Sequence, residues 1–68
     1  MNANDILKDA MKTADFRQVD LQQAMGFASQ SRISAMLKSD LQVSTFVRAL
    51  NVMGYDVTVT GHNREWTL

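Results

Sequence analysis

The chain has no cysteine, no proline and only three glycines in 68 residues. Lack of cysteine excludes disulfide staples and thiolate metal sites. Gly26, Gly54 and Gly61 stand alone, so there is no glycine-rich phosphate loop. Histidine and glutamate occur once each, as His62 and Glu65. A zinc site needs three or four ligands and none are clustered here, so no metal, no cofactor and no enzymatic activity are expected. Asp5 and Asp9 lie one helical turn apart, the usual look of a solvated helix face. No apolar run approaches the roughly 18 residues of a membrane span, and no secretory apolar segment is present. A soluble, cytoplasmic protein is the expectation. Repeats, low-complexity tracts and linkers are missing too, so residues 1–68 are expected to form one domain with no space for a ligand-binding unit.

What the chain does have is a globular balance, with 46% hydrophobic and 21% charged residues. A domain this short buries only about 60% of the surface its unfolded chain exposes. Either its helices pack efficiently or two copies share a core. Seven basic and seven acidic residues cancel, and that neutrality argues mildly against a nucleic-acid partner. The distribution says more. Asp5, Asp9, Asp15 and Asp20 lie in the first 20 residues, whereas Arg32, Lys38 and Arg48 face only Asp40 between Ser29 and Arg48. One face can be locally positive on a neutral molecule.

Apolar periodicity predicts four helices. Asn2 and Asn4 offer N-caps for the first, whose stripe is Ile6, Leu7, Ala10, Met11 and Ala14, ending near Asp15. The second runs from Gln18 to Met25, buries Leu21, Ala24 and Met25, and stops at Gly26, a residue suited to a left-handed cap. Phe27 follows as a buried residue. The third starts at Ser29 or Gln30, with Ser29 as cap and Ile33, Met36 and Leu37 inward. Ser44 can cap the fourth, whose stripe is Val43, Phe46, Val47, Leu50 and Met53 and whose end is Gly54. From Tyr55 the period changes to two. Tyr55, Val57 and Val59 alternate with Asp56, Thr58 and Thr60, Gly61-His62-Asn63 is a turn signal, and residues 65–68 can complete a hairpin.

Two short helices joined across a glycine, the second with a polar outer face, suggest a helix-turn-helix. A recognition helix must enter a major groove about 12 Å wide and offer donors and acceptors to base edges near its N-terminus. Gln30 can pair with adenine, Ser31 with either base type, and the Ala35 methyl can meet a thymine methyl. Arg32, Ser34 and Lys38 suit phosphates, and Arg32 also guanine. Free N–H groups near Gln18 can hold a phosphate. Without more, such a polar face is usually just solvated.

The stretch from Gln18 to Phe27, followed by Ser29-Gln30-Ser31-Arg32-Ile33-Ser34, resembles the helix-turn-helix of XRE/Cro-type repressors. The segment from Phe46 to Val59 is similar to the end of small phage and prophage regulators of that type, where a last helix closes with Leu-x-x-x-Gly-Tyr and runs into a strand. The resemblance spans roughly residues 4 to 60. It implies a mainly α, four-to-five-helix, lambda-repressor-like or Cro-like fold with a C-terminal strand or hairpin. It implies a sequence-specific regulator of double-stranded DNA, in most such cases a repressor. By the same resemblance Gln18 takes the phosphate-binding position, Gln30, Ser31 and Ala35 the base-reading positions, and Ser29, Arg32, Ser34 and Lys38 the phosphate contacts. Two departures stand out. Gln22 replaces the usual small alanine, and the turn before Ile33 is one residue longer than the commonest form.

An isolated hairpin is marginal and its free edge invites pairing. The expectation is a homodimer whose interface is Tyr55, Val57, Val59, Trp66 and Leu68, with two recognition helices roughly 34 Å apart on a pseudo-palindrome. The other role open to the hairpin is to cover its own helical core. Two further functions stay open: an antitoxin-like regulator that also binds a protein partner, and a small adaptor or inhibitor that uses the fold for protein contact alone.

Overall fold

The computed structural model describes residues 2–68. It is mainly helical, with α1 (Ala3–Thr13), α2 (Gln18–Met25), α3 (Gln30–Lys38) and α4 (Val43–Val52) followed by the strands β1 (Thr58–Gly61) and β2 (Arg64–Thr67). Each helix gives two side chains to the core: Leu7 and Met11, Leu21 and Met25, Ile33 and Leu37, Ala49 and Leu50. The first three pairs are spaced i, i+4, so each helix lays one stripe against the centre. Phe16, Phe27, Met36, Phe46, Met53 and Val57 close the core from its edges. No described helix is long and apolar enough to cross a membrane.

Three of the four helices end alike. Asp15, Gly26 and Gly54 follow α1, α2 and α4 with φ of 58°, 73° and 91°. An aromatic comes next each time, and its N–H reaches back to the carbonyl five residues earlier. These bonds are Phe16 to Met11 at 2.8 Å, Phe27 to Gln22 at 3.0 Å and Tyr55 to Leu50 at 2.9 Å. This is the Schellman pattern, which satisfies carbonyls that the helix leaves free. α3 ends otherwise, with Ser39 in an extended conformation.

Several expectations are corrected. Asn2 alone caps α1, accepting from Asp5 N–H at 2.9 Å, and Asn4 is used elsewhere. Ile6 is exposed, because it lies about 100° from Leu7 round the helix, outside the buried arc. Ala24 is exposed for the same reason, lying about 60° beyond Leu21 on the side away from Met25. Phe27 is half-buried. Ser44 does not cap α4. Gln42 holds that position without a side-chain bond, and Val43 is exposed while Ala49 is buried. Ser29 is at the N-cap of α3, but its hydroxyl meets Ser31 Oγ at 2.8 Å and does not bond the helix backbone.

The hairpin pairs Thr58 with Thr67, Val59 with Trp66, Thr60 with Glu65 and Gly61 with Arg64. It begins at Thr58 and not at Tyr55, whose N–H belongs to the α4 cap. His62 and Asn63 form a two-residue turn with φ of 50° and 60°, as a type I′ turn requires. Among the described residues no strand approaches a helix closely. The hairpin extends the molecule to 41 × 22 × 19 Å. Trp66 is therefore exposed and contributes nothing to the core.

Candidate nucleic-acid interface

The turn after α2, the end of α2 and the end of α3 are each fixed by side-chain bonds that do not use the side chains of Ser31, Ala35 or Lys38 of α3. Phe27 N–H bonds the Gln22 carbonyl, and the Gln22 side chain donates back to the Phe27 carbonyl at 3.0 Å. Gln22 thus fixes the turn that leads into α3. It is half-buried, not a bare surface residue. Arg48 of α4 donates from Nη2 to the Met25 carbonyl at 2.7 Å, tying the end of α2 to α4. Asn4 of α1 points its amide at the end of α3. Nδ2 lies 3.2, 3.1 and 2.8 Å from the carbonyls of Met36, Leu37 and Ser39. Ser39 Oγ donates to the Ala35 carbonyl at 3.0 Å. The long-range ties from Asn4 and Arg48 leave no local trace in the sequence, since their partners lie more than 20 residues away.

With Ile33 and Leu37 buried, α3 turns Ser31, Ala35 and Lys38 outward, and Gln30 is exposed at its first residue. No acidic residue lies on α3. Ser34 is half-buried and faces Gln18, its hydroxyl 3.4 Å from Gln18 Oε1, so the start of α2 and the middle of α3 share one surface. Ser29 and Ser31 sit side by side at the start of α3. The Arg32 guanidinium lies 4.4 Å from the centre of the Phe27 ring, within cation–π range. Arg32 is thereby drawn toward the turn. It lines a cleft with Met25, Phe27, Ser44, Thr45 and Arg48, beside the face that carries Gln30 and Ala35.

The N-terminus of α2 is less open than expected. Asp20 accepts from Arg17 N–H at 2.9 Å and from Arg17 Nε at 3.3 Å. These bonds from Arg17, backbone first, hold the Asp20 carboxyl below its ordinary range. A carboxylate in the first turn offsets part of the positive end of the helix that would attract a phosphate. Gln18 beside it remains exposed.

The five residues expected at a dimer interface do not form one exposed patch. Val59, Trp66 and Leu68 are exposed and lie on one face of the hairpin, since paired residues share a face and alternate ones repeat it. Leu68 N–H bonds the Val57 carbonyl at 2.8 Å, which extends the pairing by one step. Val57 itself is half-buried against the core. Tyr55 lies apart, beside α1, in a groove with Ile6, Ala10 and Leu50. Compared with family models, with curated proteins and with solved structures, the chain matches none.

Proposed function

We propose that the chain is a helix-turn-helix, sequence-specific binder of double-stranded DNA, of the lambda-repressor-like or Cro-like kind, that regulates transcription. The observation that carries this reading is the outer face of α3. It is small, polar and basic, free of acid, and backed by a partner helix through a fixed turn. Gln30, Ser31 and Ala35 are the base-reading residues, and Gln18, Ser29, Arg32, Ser34 and Lys38 approach phosphates. Two copies would present two such helices to a pseudo-palindrome, about one turn of DNA apart. Occlusion of a promoter is the simplest mode of action, which makes a repressor the preferred form. Zero net charge implies weak non-specific binding and a modest dependence on salt.

The test is selection of the purified protein on randomised duplex DNA at about 0.1 M salt, where the screening length is near 10 Å and long-range attraction adds little. An enriched inverted repeat is expected. Gln30→Ala then relaxes preference at one base and weakens binding by about 1–3 kcal/mol, whereas Arg32→Ala and Lys38→Ala weaken binding to all sequences alike. No enrichment from folded protein overturns the reading.

A further inference from the structure

α4 carries more apolar surface than the core uses. Its apolar residues run from Val52 through Ala49 and Leu50 round to Val47, an arc of about 220°. Ala49 and Leu50 face inward, while Val43 is 67% exposed. Val43 and Val47 line a groove of about 740 Å³ along the outer side of α4, together with Ser44, Arg48, Asn51, Val52 and Leu68. Leu68 belongs also to the apolar face of the hairpin, with Val59 and Trp66, so groove and hairpin face form one continuous surface. On that face Val59 is 48%, Trp66 54% and Leu68 51% exposed, and Gly61 and Arg64 lie at its turn end. The opposite face holds Thr58, Thr60, Glu65 and Thr67, and is polar. Only Leu68 of the hairpin reaches the chain's own groove, because the strands stand away from the helices.

We propose that this surface seats a second copy of the chain, with the Trp66 indole of one protomer in the α4 groove of its partner and the contact returned by symmetry. A closed two-fold interface must be self-complementary, so a projecting side chain and its seat must occur on one patch. That condition is met here by Trp66 and the α4 groove. An aromatic side chain buries about 150–250 Å², and the symmetry doubles each contact. The indole N–H needs an acceptor when buried, and Ser44 and Asn51 in the groove offer one. No Asp or Glu side chain is among the lining residues, and Arg48 at the groove's edge can meet the ring face. Zero net charge means that two copies do not repel at long range. A standard interface takes about 800 Å² from each partner, about one sixth of the 4870 Å² this chain exposes. The proposal rests on the two-copy part of the reading above and not on DNA binding.

Trp66 is the only tryptophan, so its fluorescence reports the seat directly. Sedimentation equilibrium of the full chain, without DNA, is run from low to high micromolar concentration with emission spectra of the same samples. Dimerisation with a concentration-dependent blue shift of Trp66 is expected. Val43→Glu is the decisive variant. Val43 opens α4, where an acid is favoured by the helix dipole, so the fold is kept and circular dichroism checks it. Val43→Glu should weaken the dimer by at least about tenfold and leave Trp66 emission red at concentrations where the parent is blue. A dimer that Val43→Glu leaves intact overturns the groove as the seat, while pairing through the strand edges alone would stand. A monomer throughout overturns both, and DNA selection then decides the rest separately.

Discussion

Replacing Asn4 should loosen the end of α3 more than any local change to α3 itself. The Asn4 amide nitrogen lies within 3.2 Å of three carbonyls at that end. It has two hydrogens, so two bonds are made well at any moment and the third is shared. At about 0.5–1.5 kcal/mol net for each bond, Asn4→Ala should cost about 1–3 kcal/mol. For a domain of this size each kcal/mol lowers the melting temperature by about 4–8 °C. Asn4→Asp is the sharper variant. It keeps the shape, removes both donors and sets a negative charge against the negative end of a helix. It should be less stable than Asn4→Ala at neutral pH and recover part of the loss in acid, where the carboxyl regains a proton to donate. Urea melts of the three proteins at two pH values decide the matter. A loss within about 0.5 kcal/mol for Asn4→Ala, the range of ordinary surface changes, would refute the clamp, as would an aspartate variant as stable as the parent.

Other consequences are quickly tested. Nothing lies within 4 Å of a Cβ placed on Gly26, so Gly26→Ala should lose only the left-handed backbone penalty, about 1–2 kcal/mol, and Gly26→Asn less, by thermal melts. Asp15 holds the same conformation without being glycine, so Asp15→Gly should raise stability by up to about 1 kcal/mol. Arg48→Met removes the bond to the Met25 carbonyl but keeps the apolar stem, and urea melts should show a loss of about 1 kcal/mol. The Asp20 carboxyl is held below its ordinary value of 3.8 by Arg17, so its contribution is present above that pH and is lost as pH falls through the lower, folded value. The stability gap between the parent and Asp20→Asn should therefore close in acid, and a gap that widens there would contradict the capping arrangement.

Much of the architecture was legible where one residue type dictates one conformation. Gly26 marked the end of α2 because a left-handed cap favours it, and Gln18–Met25 emerged with the expected bounds. The change of period after Gly54 announced extended chain, although the glycine-aromatic cap delayed pairing to Thr58. Periodicity located the helices but not the width of their buried arcs. Ile6, Ala24 and Val43 are apolar and near a stripe, yet exposed, because the arc depends on how many neighbours a helix has. At the candidate site, the outward set Ser31, Ala35 and Lys38, flanked by Arg32 and Ser34, followed from the helical repeat. The approach of Ser34 to Gln18 and of Arg32 to Phe27 depends on how the helices pack, which the repeat does not encode.

The exception at α3 ties fold to function. α1, α2 and α4 close themselves with a left-handed residue and an aromatic anchor. α3 has neither, its first residues lack a side-chain cap, and its nine residues are fewer than the 12–15 a helix needs to persist alone. Its form is therefore imposed by Ile33 and Leu37 in the core, by Gln22 at the turn and by Asn4 at the far end. A helix so held keeps its outer face free of capping duties. Gln30, Ser31, Ala35 and Lys38 can then be replaced with little effect on folding, because what orients α3 lies in α1 and α2. Single substitutions at these four positions should change melting by no more than ordinary surface changes do, while Asn4→Ala and Gln22→Ala should lower it. If the outer face of α3 proved as sensitive as Asn4, α3 would be stabilising itself, and the division between a supporting frame and a free reading face would not hold.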